Sequence, residues 1–434
     1  MGMIADGFIV LFVLLLLLGG GVWVSLSLAG VSLVGMFLFT GAPIQAVMPT
    51  VMWSSVSSWT LAALPMFIWM GEILCRTRLA TDLFHGLAPW LNRLPGGLLH
   101  INIVGCGLFA AVSGSSAATC ATVGPLTLRE LAKRGYDDRM AIGTLAGSGT
   151  LGLLIPPSIL MIVYGVAANV SISRLFLAGV LPGLLVIVLF MSYVAIWATL
   201  NRRSMPAADA PMPLRERLGR LRLLMPVMAL IVAVMGSIYM GLATATEAAA
   251  MGVAGALLIA ALSGALTWDS FQASLLAATK TSCMIAFILA GAAFLSTVMG
   301  YAGIPRAMAV WIAAQDLPPY VLLMALMALY LVIGCFLEGA SMVVLTAAFV
   351  VPMVREAGID LVWFGIFIVI MVEVAQITPP VGFNLFVVQS LTPHGLFYVA
   401  RSILPFLLLL FLTIGILMVF PQIALWLPNT MMNN

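Results

Sequence analysis

Two short runs of hydroxyl-bearing and small residues interrupt otherwise apolar sequence: SGSSAAT at Ser113–Thr119 and EGAS at Glu338–Ser341. Each is followed by a double proline, in IPPS at Ile155–Ser158 and in TPPVGFN at Thr378–Asn384. Adjacent prolines remove two backbone donors and disfavour helix just before them. Pro156-Pro157 and Pro379-Pro380 are therefore expected to unwind their helices and free carbonyl oxygens. Carbonyls facing hydroxyls form an oxygen cage suited to a hard cation such as sodium, and the N-termini of the resumed half-helices offer donors to a carboxylate. In the first half the expected ligands are Ser113, Ser115, Ser116 and Thr119, set against Gly149, Thr150 and Gly152. In the second, Glu338, Gly339 and Ser341 face Thr378, Gly382 and Asn384. Asn384, Gln376 and the prolines Pro156, Pro157, Pro379 and Pro380 mark the substrate side of the same breaks. The competing reading is that Gly, Ala, Ser and Thr here only let helices pack closely.

Four acidic residues lie in apolar segments: Glu72, Glu247, Glu338 and Glu373. A charge at the bilayer centre costs about 2.5–3.5 kcal/mol on insertion scales, so each needs a partner, a proton, an ion or an interfacial position. Glu72 has a candidate partner four residues on in Arg76, and Glu247, after Thr244 and Thr246, is placed to cap a helix. Glu338 and Glu373 are left as charge-coupling candidates, with two structural carboxylates as the alternative. Lys280, also inside a span, can snorkel, pair with a carboxylate or lend positive charge to the site. His85, His100 and His394 fall near expected interfaces and read as structural. The five cysteines are scattered singly without CxxC spacing, so neither a disulfide framework nor a metal site is indicated, and the only metal expected is sodium in transit. There is no G-x-x-x-x-G-K-[ST] phosphate loop, and no HExxH or GxSxG context that would support an intramembrane enzyme.

The elements that carry these residues must be membrane helices. With 63% hydrophobic and 8% charged residues over 434 positions, the chain has too little polar surface to cover a soluble globule. Its apolar runs are continuous rather than alternating, which excludes an outer-membrane barrel. The net charge of +3 is too small to suggest nucleic acid. The N-terminal apolar stretch lacks a basic leader and runs past Gly19-Gly20-Gly21 into a second span, so it is expected to be retained.

Basic residues set the topology. Arg76, Arg78 and Arg93 precede residues 96–128, and Arg129, Lys133, Arg134 and Arg139 follow them. Both ends of that apolar segment then lie in the cytoplasm, so it must enter the membrane and return as a re-entrant hairpin with SGSSAAT at its tip. Following the spans onward places residues 301–319 outside, so the pair 320–337 and 342–353 enters from the opposite face and turns at EGAS. From Pro157 to Pro182, and again from Pro380 to Pro405, is 25 residues. A pattern written twice and inverted is the mark of a transporter built from two repeats. The expected fold is all-α and polytopic: about ten spans plus two inverted re-entrant hairpins, with both termini outside. The organisation is 1–75 N-terminal helices, 76–200 first repeat, 201–222 arginine-rich cytoplasmic linker, 223–299 arm helices and 300–434 second repeat.

SGSSAATCATVG at Ser113–Gly124, LIPPS at Leu154–Ser158, ATATEAAA at Ala243–Ala250 and ITPPVGFNLFVV at Ile377–Val388 together resemble the large membrane subunit of TRAP transporters, the tripartite ATP-independent periplasmic family. The resemblance covers nearly the whole chain. It implies a secondary transporter of the bacterial inner membrane that imports an organic acid with sodium. It further implies two partners, a small four-helix membrane subunit and a periplasmic substrate-binding protein, and an elevator motion of the hairpin-bearing part against a scaffold of the first three helices and those after the linker. The hairpin-tip serines and TPPVG fall on the positions reached from topology. Where the family often has TPTE, this chain has Thr244-Ala245-Thr246-Glu247, without the helix-start proline, and Gln376 adds an amide before the second double proline. No further helical bundle precedes Met1, so the small subunit is expected as a separate polypeptide. A carboxylate transporter of a related inverted-hairpin family, working without a binding protein, would share the tips and prolines. Which organic acid is carried depends largely on the binding protein.

Overall fold

A computed structural model describes residues 2–431 apart from 207–211, 305, 306, 308–317, 335, 380 and 381. Pro380 therefore lies outside the described residues. These contain twenty α-helices, three short 3₁₀ turns and no strand. In hydrocarbon every backbone N–H and C=O must be satisfied within its own segment, and helix does this.

The first four helices are α1 (Gly2–Gly19), α2 (Val24–Phe39), α3 (Ile44–Val56) and α4 (Ala63–Cys75). The last N-terminal span is bent: it runs from α3 to α4 and breaks at Ser57-Ser58, where the two parts meet at 48°. After the short α5 (Leu79–Leu91), α6 (Leu99–Ser113) and α7 (Ser116–Lys133) form the first hairpin. Next, α8 (Asp138–Gly149), a 3₁₀ turn at Thr150–Gly152 and α9 (Ile159–Ala168) make the first broken helix, and α10 (Ile172–Leu200) leads to the linker. The linker holds a helix of its own, α11 (Leu214–Leu221), followed by α12 (Met225–Tyr239), α13 (Ala245–Leu262) and the long α14 (Trp268–Tyr301).

The second hairpin is α15 (Pro319–Gly334) and α16 (Gly339–Glu356), and its arms fold back far enough for the Tyr330 hydroxyl to reach Thr346 Oγ1 at 2.8 Å. The second broken helix is α17 (Leu361–Gln376) and α18 (Phe383–Ser390), with α19 (Leu396–Val419) and α20 (Gln422–Met431) completing the chain. Among the described residues five helices are long and apolar enough to cross a membrane alone, or seven if two bent pairs each count as one span. Several other expected spans are apolar helices of 10–17 residues, among them hairpin arms and halves of broken helices.

The repeat seen in the prolines extends to helix starts. From Ser116 to Gly339 and from Asp138 to Leu361 the offset is 223 residues in both cases. The helices at the second pair share a cap as well. Asp137 accepts from the Met140 N–H at 2.9 Å, and Asp360 accepts from those of Val362 and Trp363 at 2.8 and 2.9 Å.

The two leading halves of the broken helices lie at the centre. Every residue of α8 from Met140 to Gly149 and of α17 from Val362 to Gln376 is buried. Around them the contacts are tight and dry, as expected where association relies on packing rather than on water release. Phe406 of α19 lies edge-on to Phe190 at 5.1 Å and Tyr193 at 5.3 Å, and it fills the space over Gly147 of α8. Outward faces remain apolar, as Leu404, Leu408 and Leu412 show at four-residue spacing on α19. On the other side of the molecule α14 packs against α2, α3 and α4, and also against α16.

Candidate functional site: two hairpin tips on two broken helices

The first tip is shaped by glycine. Gly114 turns the chain with φ 59°, and a Cβ there would lie 2.9 Å from the Pro157 carbonyl oxygen, so a side chain is excluded both by conformation and by space. From the facing side, a Cβ on Gly152 would come within 2.8 Å of the Ser115 carbonyl oxygen. The tip therefore sits directly on the unwound stretch before Pro156-Pro157, both of which are buried. A helix of the N-terminal group passes close by, since a Cβ on Gly71 of α4 would be 2.9 Å from the Ser113 carbonyl oxygen.

Three oxygens converge at this tip. Thr119 Oγ1 donates to the Ser115 carbonyl at 2.7 Å, Ser113 Oγ lies 2.9 Å from Thr119 Oγ1, and Ser113 Oγ also reaches the Ser115 carbonyl at 3.3 Å. Ser113 and Thr119 are buried. Their two hydroxyl protons are engaged among these same oxygens, so a cation arriving here needs only a rotation of the hydroxyls to present three lone-pair faces. Ser115 also caps α7, its hydroxyl accepting from the Ala118 N–H at 3.4 Å.

The other first-half residues do different things. Ser116 points away from the triangle and donates to Gln376 Oε1 at 2.5 Å. Thr150 returns its hydroxyl to the Gly147 carbonyl at 2.8 Å, and Gly149 makes room for Cys120 of α7. Ser158, not singled out in the sequence, starts α9 by accepting from the Met161 N–H and gives its own proton to the Leu153 carbonyl.

In the second half, a Cβ on Gly382 would lie 2.7 Å from the Gln376 carbonyl oxygen and 2.9 Å from that of Thr378. These two carbonyls come from the same break as Gly382, whereas in the first half the close carbonyl contacts run between the break and the hairpin tip. Thr378 gives its hydroxyl to the Val374 carbonyl at 2.6 Å. Pro379 is exposed, whereas Asn384 is buried with neither side-chain polar atom bonded among the described residues. At the tip, Ser341 donates to Glu338 Oε2 at 3.3 Å, and Glu338, at the start of α16, is exposed. Gln376 joins the two halves: its oxygen takes the Ser116 proton, and its Nε2 lies 3.1 Å from where a Gly339 Cβ would be.

Of the remaining charged candidates, Glu72 pairs with Arg76, and Glu247 completes a capping box with Thr244, its carboxylate accepting from the Thr244 N–H at 2.8 Å. That box fixes the start of α13 without the family's proline. Lys280 is exposed on α14, with no ion pair among the described residues. Glu373 is fully buried, and neither carboxylate oxygen has a hydrogen-bond partner among the described residues.

One cavity escaped the sequence reading. About 400 Å³ in volume, it lies among α3, α14, the end of α9 and α16, and its polar lining is Ser54, Ser55, Ser58, Asn169, Ser296 and Thr297. The signal was present in WSSVSS at Trp53–Ser58, a hydroxyl run as dense as the first tip but without a proline to mark it.

With this geometry in place, the sequence matches the family described as "Tripartite ATP-independent periplasmic transporter, DctM component" over residues 8–423. The chain belongs to this family. It is therefore a permease component and not an enzyme. One relative, the C4-dicarboxylate TRAP transporter large permease protein DctM of Pseudomonas aeruginosa, is 35% identical over 376 residues, covering 86% of each chain. The isethionate TRAP transporter permease protein DctMQ of Oleidesulfovibrio alaskensis is 30% identical over 422 residues, 96% of this chain and 65% of that one. Among solved structures, the Alcanivorax borkumensis YdaH transporter superposes with a TM-score of 0.66 at 15% identity, over 93% of this chain and 98% of that one, a likeness of fold.

Proposed function

We propose that this chain imports an organic acid together with sodium, receiving the substrate from a periplasmic binding protein and working beside a small four-helix membrane subunit. The observation that carries this reading is the oxygen triangle of Ser113, Ser115 and Thr119, closed by the backbone of Gly152 and Pro157. Hydroxyl and carbonyl oxygens without a fixed charge suit a weakly held monovalent cation, and the buried amide of Asn384 beside the second break supplies donors for a carboxylate. The names of two relatives, for a C4-dicarboxylate and for isethionate, support a small organic acid as the substrate class. The DctMQ relative is longer than this chain, which fits a large permease joined to its small partner in one polypeptide.

In this reading the protein sits in the bacterial inner membrane with both termini periplasmic. The hairpins enter from opposite faces, and the hairpin-bearing helices move as an elevator against α1–α4 and α12–α14. Each net positive charge imported gains about 2.3 kcal/mol per 100 mV of membrane potential, so more sodium ions than substrate charges would use voltage as well as gradient.

The test is uptake into proteoliposomes holding both membrane subunits, with purified binding protein added outside. Concentrative uptake should require an inward sodium gradient and the binding protein together. Equal uptake without the binding protein would place the chain's working mode with the binding-protein-independent carboxylate transporters, and equal uptake on a proton gradient in sodium-free buffer would remove the sodium assignment.

A further inference from the structure

The repeat puts an acid where the first half has a hydroxyl. Thr150 lies twelve residues after Asp138, the first residue of α8, and Glu373 lies twelve residues after Leu361, the first of α17. Thr150 is satisfied within its own helix by the Gly147 carbonyl. Glu373 is as deeply buried as Thr150, yet both of its carboxylate oxygens lack a partner among the described residues. Unpaired buried acids are rare because an isolated charge is strongly disfavoured in an apolar setting, and inside a membrane such a group marks a functional site.

Among the described residues, the elements packed against α17 offer no cation bonded to this carboxylate. Elements packed against α17 carry Tyr164 on α9, Arg174 and Tyr193 on α10, Tyr320 and Tyr330 on α15, Arg355 and Glu356 on α16, and Tyr398 and Arg401 on α19. Tyr164 gives its proton to the Leu361 carbonyl at 2.8 Å, Tyr330 is engaged with Thr346, and Arg174 reaches Asn429 at 3.2 Å. Arg355 and Glu356 stand at the last turn of α16, and Arg401 is exposed. None of these groups bonds to Glu373. Three residues further along α17, Gln376 holds the two hairpin tips together, and the 3₁₀ turn Thr150–Gly152 also packs against α17.

We infer that Glu373 is a second-half cation site: its carboxylate takes up one monovalent cation, sodium or a proton, in each transport cycle. This rests on the cation-coupled reading above and assigns to it a specific carboxylate. The first half then binds its cation with neutral oxygens and becomes positive on loading, whereas the second binds its cation with an acid and becomes neutral.

The experiment is uptake and current in proteoliposomes containing the complete transporter, comparing wild type with Glu373→Gln and Glu373→Asp. Glutamine keeps the volume and removes the charge. It should lower uptake at least tenfold and reduce the positive charge moved per substrate by one. If sodium is the cation, the Hill coefficient for sodium falls by one while the pH profile is unchanged; if a proton, the pH dependence is lost while sodium cooperativity stays. Should the glutamine variant fail to assemble, Glu373→Asp, which withdraws the carboxylate by one methylene, should keep maximal uptake and shift the half-saturating sodium concentration or pH severalfold. Wild-type flux, charge ratio and cation dependence in the glutamine variant would overturn the inference, as would an unshifted aspartate variant. If wild type itself shows no cation dependence, the coupled reading fails instead, so the two failures are distinguishable.

Discussion

The two hairpin tips occupy equivalent places in the repeat and solve the same problem with different chemistry. At the first, Gly114 lets the chain turn against the Pro157 backbone, and three neutral oxygens are buried and bonded to one another. At the second, the residue equivalent to the Ser115 cap is Glu338, which is exposed and holds only Ser341. The first tip is thus a closed, preorganised cage, and the second an open one whose buried acid lies deeper, at Glu373. A duplicated backbone need not carry duplicated chemistry: each break holds a glycine against backbone carbonyls, Gly152 against the tip's Ser115 and Gly382 against Gln376 and Thr378 of its own break, while the side chains at the tips differ.

The largest effect should come from filling the closed tip. Gly152→Val would drive a branched side chain into the Ser115 carbonyl, and uptake should fall to background while both membrane subunits still co-purify. Near-normal uptake would mean that the tip does not need to sit on the break. A smaller loss is expected for Gln376→Ala, which removes the side-chain hydrogen bond that ties Ser116 at the first tip to the second broken helix. The buried hydroxyl left without its acceptor costs about 1–3 kcal/mol, so the sodium concentration for half-maximal uptake should rise about 5- to 160-fold. An unchanged value would show that the halves work independently.

At the open tip, Ser341→Ala should change sodium dependence less than Thr119→Ala does, because Glu338 is exposed and water can replace the lost bond. Equal effects at the two tips would contradict the contrast drawn here. The smallest change is expected away from both tips. Thr244→Ala breaks the capping box of α13 and should lower stability by about 1 kcal/mol, read as a lower Tm with sodium dependence intact.

Much of this was legible in the sequence. The double prolines located both breaks, the arginine clusters implied that 96–128 folds back on itself, and the start of the first tip was read to within a few residues of Ser113–Ser116. Proline and glycine act locally, so their consequences can be read locally. What could not be read depends on distant neighbours. Nothing in the spacing shows that Ser116 reaches Gln376 across 260 positions while Ser113 turns to Thr119, or that Glu338 is exposed and Glu373 is not. Short helices such as α5 and α20 were missed because a 10- to 13-residue amphipathic segment does not stand out beside long apolar spans. The hydroxyl-lined cavity was missed because its walls come from four segments far apart in sequence.

The central claim is that the Ser113, Ser115 and Thr119 triangle binds sodium. Its most direct test is the thermal stability of the purified pair of membrane subunits, titrated with sodium chloride against potassium chloride at constant ionic strength. Because a ligand that binds only the folded state stabilises it by about 2.7 kcal/mol at a hundred times its Kd, sodium should raise Tm steadily and potassium should not. The double variant Ser113→Ala, Thr119→Ala should need at least tenfold more sodium for the same rise. An identical sodium response in wild type and double variant, or an equal rise with potassium, would contradict the assignment.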